Sequence, residues 1–246
     1  MSAGHWTDAY YGPLYLESVE DLLTPALSAL EAGVVARFLR ARPGDAVLDA
    51  GCGQGRHLGP LAARGLRPVG LDRSAPYLAR ARAAAPGVAL VRADLRLLPF
   101  RPGALAGTFS WYASLFMFDD GENAAVLSGL ARAVRRGGRV VVQHGNPLRL
   151  ERHPVESSAR SLGGGARVEE DSAWDPRRGV DRCTRRLNRP DGSRLEATAE
   201  LRYYSPAEWA PLADAAGLRI VEITSTAGEP PGPDAADLVV VLEKPT

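Results

Sequence analysis

Two rhythms of apolar and polar positions alternate along the first 150 residues. Short apolar runs read as buried strands: Ala46-Val47-Leu48 running into Asp49, Pro68-Val69-Gly70-Leu71 into Asp72, Val88 to Asp94, Ala104 to Tyr112, and Arg139 to Gln143. Between them, apolar residues recur at helical spacing over Leu58–Arg64, Pro76–Ala85 and Glu122–Val134. Gly65, Pro86-Gly87 and Arg135-Arg136-Gly137-Gly138 close these helices. Upstream, Leu22, Leu23, Ala26, Leu27, Leu30 and Val34 predict one or two helices over roughly Val19 to Arg40, and Pro43-Gly44-Asp45 predicts a turn. Strands alternating with helices in this way predict an α/β chain with a parallel sheet.

The rhythm changes over residues 148–203. Val168–Trp174, Arg182–Asn188 and Leu195–Tyr204 alternate loosely, and Arg189-Pro190-Asp191-Gly192 is a hairpin signal between the last two. An antiparallel β insertion after the fifth strand is expected, its many charges solvated or paired across strands. Ser205-Pro206-Ala207-Glu208 then reads as a helix start, with the helix running to Ala216 and Gly217 as its cap. Leu218–Thr224 and Leu238–Glu243 read as two closing strands joined by a Pro/Gly loop.

Composition narrows the partners. The chain has 246 residues, which fits one α/β domain with additions, and 30 basic residues balance 29 acidic ones. That balance gives no strong pull toward nucleic acid or membrane. Met1 to Tyr15 has no apolar core of a signal peptide, although His5, Trp6, Tyr10, Tyr11 and Tyr15 make it aromatic. Cys52 and Cys183 lie in unrelated contexts, so a reducing cytoplasm is expected rather than a disulfide framework. No Cys/His cluster has metal-ligand spacing, so no metal is expected.

The chemistry concentrates at Asp49-Ala50-Gly51-Cys52-Gly53-Gln54-Gly55-Arg56. A strand, a glycine-rich turn and a helix start form a cradle for a nucleotide-like ligand. The spacing is not the G-x-G-x-x-G of dinucleotide folds, and a carboxylate at the mouth suits an ammonium better than a pyrophosphate. Asp72, at the end of the second strand, is offset from the turn as a ribose-binding acid is. It also reads as an N-cap for the helix after Ser74.

The stretch resembles the first motif of the class I S-adenosylmethionine (SAM) dependent methyltransferases. The resemblance covers residues 44–147 strongly and 204–243 in outline. It implies a Rossmann-like three-layer sandwich whose seven-stranded, mostly parallel sheet has the order 3-2-1-4-5-7-6 and an antiparallel last strand. The whole chain, 1–246, then reads as a single methyltransferase domain. Residues 1–40 form a helical cap, 41–147 the SAM-binding core, 148–203 the β insertion as an acceptor lid, and 204–246 the closing helix and strands. SAM is the implied cofactor, held by Asp49, Gly51, Cys52, Gly53, Gly55 and Arg56 from the turn, Asp72 and Arg73, and Asp94, Leu95 and Trp111. Asp94 would face the adenine amine and Leu95 the ring, or Asp94 is a loop cap. Arg56 would pair with the SAM carboxylate or with a nearby acid.

A sulfonium methyl needs alignment more than a catalytic triad, and none appears. Tyr11, Tyr15, His144 and Asn146 are the candidate groups on the acceptor side. The alternatives are a hydrogen-bonded loop histidine and plain packing of the terminal tyrosines. The expected acceptor is a small molecule, with no nucleic-acid or membrane partner, and the protein is expected as a monomer or homodimer. Trp111-Tyr112-Ala113-Ser114 lacks the N/D-P-P-Y/F turn of base-amine methyltransferases. Rival readings are a SAM-binding protein without catalysis, prompted by Ala106 where relatives carry an acid, a macromolecule methyltransferase, and a nicotinamide oxidoreductase.

Overall fold

The computed structural model describes residues 6–112 and 114–246, with the Trp6 side chain outside the description. His5 and Ala113, named above, lie outside the described residues.

The chain opens with α1 (Trp6–Tyr10), α2 (Pro13–Val19) and α3 (Pro25–Leu39). Thr24 caps α3 by accepting the Leu27 N–H at 3.2 Å, with Pro25 at the first helical position. The helix therefore begins later than its apolar spacing suggested. Its sheet-facing stripe is Ser28, Glu31, Ala32, Val35, Phe38 and Leu39, while Leu22 and Leu30 are exposed.

The alternating core follows: β1 (Ala46–Ala50), α4 (Leu58–Ala62), β2 (Arg67–Asp72), α5 (Ala75–Ala84), β3 (Ala89–Arg92), β4 (Leu105–Ser110), α6 (Asp120–Ala133) and β5 (Val134–Gly145). Then come α7 (Pro147–Arg152), four strands β6 (Val155–Ser161), β7 (Arg167–Asp175), β8 (Val180–Asn188) and β9 (Arg194–Arg202), and finally α8 (Trp209–Ala215), β10 (Arg219–Thr224) and β11 (Asp237–Glu243).

The main sheet has the order β10-β11-β5-β4-β1-β2-β3. Its β1, β2, β3, β4 and β5 run parallel, and β11 runs antiparallel to both neighbours. This is the expected 3-2-1-4-5-7-6 arrangement. The two-residue period of a strand divides the core. Val47, Phe109, Val141 and Val239 face α3 and α4; Leu48, Val140, Val142 and Val240 face α6 and α8. Helices on both faces of the sheet make the three layers.

The second sheet is antiparallel, β6-β7-β8-β9, one strand more than the alternation suggested. Its β6 reads Val-Glu-Ser-Ser-Ala-Arg-Ser and is almost wholly exposed, so it forms by pairing with β7 rather than by burial. The β8–β9 turn falls at Arg189–Ser193 as expected, with Gly192 at φ +84.

Candidate functional site

The carboxyl ends of β1, β2, β3 and β4 open into one cavity of about 720 Å³. Its floor is the glycine turn after β1, where Gly51, Gly53 and Gly55 all have positive φ. The three glycines do different things. A Cβ on Gly51 would come within 2.5 Å of the Ser114 Cβ, so the turn and the chain after β4 touch there. A Cβ on Gly53 would meet only the Tyr77 ring, at 3.9 Å, because the space beside it is cavity. Gly55 was expected to touch the ligand, and it does not line the cavity. A Cβ on Gly55 would lie 2.7 Å from that of Ala81, so its role is close packing of the turn on α5.

Asp72 and Asp94 both reach the cavity wall. Asp72 Oδ2 accepts the Gly53 N–H at 2.9 Å and Oδ1 accepts the Ser74 N–H at 2.8 Å. Burial raises its pKa, and those two N–H groups oppose the rise. A carboxylate has room for further donors beyond these two. Asp94 accepts the Arg96 N–H at 2.9 Å and pairs with the Arg96 guanidinium. It is a loop cap as well as a wall residue. Leu95, Cys52 and Trp111 are buried along the same wall. The Arg73 side chain bonds Asp8 in α1, tying the roof to the wall beside Asp72. Burial pushes the Cys52 thiol well above its usual range.

Behind the turn lies a buried charge cluster. Asp49 shares the Val47 face of β1 and therefore points toward α3, where it is 3.6 Å from His57 Nδ1. His57 Nε2 lies 3.2 Å from Glu31 Oε2, and Arg56 pairs with the same oxygen. Arg56 thus meets a nearby acid through Nη1, which leaves its Nη2 without a hydrogen bond. Burial alone would lower the His57 pKa, but Asp49 and Glu31 on either side raise it. Burial alone would raise that of Glu31, but hydrogen bonds from His57 and Arg56 hold it at about 2. Tyr112 completes the cluster, donating its hydroxyl to Glu31 Oε1 at 2.8 Å. Its φ of 56 is strained for a non-glycine residue, and Gln143 accepts its backbone N–H at 2.7 Å.

The roof is α1 and α2. Tyr11 and Tyr15 face the cavity with ring centroids 5.2 Å apart. From behind, the Arg185 guanidinium lies 4.9 Å over the Tyr15 ring and 5.1 Å over that of Tyr10. Leu14 packs on Val168 and Leu187, and Arg189 holds Glu17. The insertion was expected to roof the cavity directly. None of its residues lines it; the second sheet supports α1 and α2 instead.

His144 and Asn146 also lie elsewhere. The strand period puts His144 on the Val140 and Val142 face, beneath α8. There it stacks on Tyr203 at 5.7 Å, and its Nε2 accepts the Trp209 indole N–H at 3.1 Å. Asn146 is buried, caps α7, and donates to the Gly232 and Ala235 carbonyls at 2.7 Å each. Both are structural. The residues missed from the sequence are Glu31, Tyr77 and Tyr112. Glu31 was visible in principle, since it stands four residues before Val35 on the buried stripe of α3. Ala106 does not line the cavity, so its lack of an acid takes nothing from the wall. Among the described residues no His/Cys/Asp/Glu group could hold a metal, and no helix is long and apolar enough to cross a membrane.

The chain is similar to known methyltransferases. A family model described as a methyltransferase domain matches residues 47–138. The cypemycin N-terminal methyltransferase of a Streptomyces species is 31% identical over 244 residues, covering 91% of this chain and 94% of that protein. Among solved structures, the CcbJ methyltransferase of Streptomyces caelestis is 26% identical with a TM-score of 0.79, covering 94% of this chain and 96% of its own. SAM-bound CalS10, an amino pentose methyltransferase from Micromonospora echinaspora, shares the fold at 24% identity and a TM-score of 0.68, over 87% of this chain and 91% of its own.

Proposed function

The chain belongs to the class I SAM-dependent methyltransferase family, and from that premise we propose that it transfers the SAM methyl group to an amine nitrogen of a small molecule held under the tyrosine roof. SAM is the cofactor and small-molecule methylation the activity.

The observation that carries the reading is the open space at Gly53, flanked by Asp72 and Asp49. Asp72, pinned by two backbone N–H groups, would take the ribose hydroxyls. Asp49 Oδ2 is buried without a hydrogen bond, its neighbour His57 Nδ1 lying 3.6 Å away, and a carboxylate there suits an ammonium. Asp94 and Leu95 would hold the adenine. Bound SAM supplies a methyl group already activated on sulfur. The chain's own part is to align the acceptor behind that methyl and to exclude water with Tyr11 and Tyr15.

The choice of nitrogen rests on what the cavity wall offers. Asp49 and Glu31 on either side raise the His57 pKa against its burial, and burial raises the Cys52 thiol and the Tyr11 and Tyr15 phenols. An amine attacks as its free base and needs none of these as a proton acceptor. Two of the similar proteins are named for an N-terminal and an amino-sugar acceptor. Calorimetry with SAM, S-adenosylhomocysteine and NAD tests the cofactor; binding of NAD alone would sink the reading. Mass spectrometry of metabolite pools incubated with the protein and methyl-labelled SAM then identifies the acceptor, and label on oxygen or carbon would exclude the nitrogen.

A further inference from the structure

Glu31 stands behind the cavity wall, yet three groups that line the cavity converge on its carboxylate. Oε2 accepts from Arg56 and meets His57 Nε2 at 3.2 Å, and Oε1 accepts from the Tyr112 hydroxyl at 2.8 Å. The side chain is only 3% exposed. Three donors nearly fill the roughly four lone-pair sites of a carboxylate.

The Arg56 guanidinium is thereby split. Nη1 is fixed on Glu31, the flat face lies 4.9 Å over the Tyr112 ring, and Nη2 is buried with no hydrogen-bond partner. Asp49 Oδ2, in the same wall, is likewise buried without one. A buried cationic donor without a partner matches a carboxylate on a small ligand.

Building on the SAM reading, we propose that Glu31 is a positioning residue that orients Arg56, with Tyr112 as a backstop, to hold the carboxylate of the SAM amino-acid head. Glu31 touches no ligand itself. It lies outside the stretch matched by the family model, so the N-terminal helix completes a site that the core begins.

The test uses the full chain and two ligands, S-adenosylhomocysteine and 5′-methylthioadenosine, the second lacking the amino-acid head. Calorimetry is run on the wild type, Glu31→Gln, Arg56→Ala and the double variant. Glu31→Gln should weaken S-adenosylhomocysteine by at least about tenfold and leave 5′-methylthioadenosine within about twofold. Arg56→Ala should do the same, and the double variant should be no weaker than Arg56→Ala alone. Equal loss for both ligands, no loss, or additive losses would overturn the proposal. If Glu31→Gln does not fold, Glu31→Asp keeps the charge, withdraws the carboxylate by one methylene, and is read the same way. A wild type that binds neither ligand would defeat the methyltransferase reading instead.

Discussion

Neighbouring glycines in one turn are expected to fail in different ways. Gly53→Ala puts a methyl group into open cavity, so SAM affinity should fall by at least about tenfold while the protein still folds, less about 1 kcal/mol for the left-handed backbone. Gly55→Ala drives a methyl into Ala81. Overpacking and backbone strain together should cost about 2–3 kcal/mol, read as a Tm drop of roughly 5–10 °C. Equal effects of the two on ligand affinity at equal Tm would contradict the division of roles. Asp72→Asn keeps an acceptor for only one of the Gly53 and Ser74 N–H groups, sets an amide NH2 against the other, and removes the charge that a ribose diol would donate to. Calorimetry should show at least a tenfold loss of SAM affinity, about 1.5–3 kcal/mol for a bond to a charged acceptor. Asp72, Gly51 and Gly53 could be placed at one cavity from the sequence because short-range spacing brings them together, whereas spacing alone did not set Gly55 apart. His144 was not, because the end of a strand says nothing of which face its last residues take. Glu31 was overlooked because a glutamate on a helix reads as surface unless its stripe is traced.

Among the elements, α2 has the most exacting position, between the cavity and the second sheet. Leu14 anchors it, 2% exposed against Val168 and Leu187. Leu14→Ala should cost about 2–5 kcal/mol of docking energy, and limited proteolysis should then cut near residues 11–24 while the main sheet stays intact. Unchanged cleavage there would mean that α2 is held by something else. The main-sheet elements were readable as short apolar runs because the central strands β1, β4 and β11 are buried on both faces. Most of the second sheet was readable from its turn. Its outermost strand β6 was not, since nothing apolar repeats in it and only pairing with β7 defines it.

Over the whole molecule, two buried histidines set opposite limits on stability. Burial among rings lowers the His144 pKa to about 4. The unfolded chain therefore takes up that proton first, and stability complete above about pH 6.5 is lost as pH falls toward 4, on the order of 3 kcal/mol in all. His57 is raised, so its contribution is full below about pH 6.5 and lost as pH rises through its folded value. Melting temperatures should thus peak near neutral or slightly acid pH. His144→Phe should flatten the acid limb between about pH 5 and 6.5, above the range in which Glu31 titrates; a limb of unchanged slope would assign it to another group. The bonds that hold the roof have a further consequence. Tyr10 reaches Cys183 across 173 residues of sequence, and Glu17 reaches Arg189 across 172. On the ribosome, the helices that cover the cavity emerge well before the strands that support them. The Rossmann-like core through β5 can begin to collapse while α1 and α2 still lack a partner. The newborn protein is therefore a cradle without a cover, and the segment that completes it waits for strands made well over a hundred residues later.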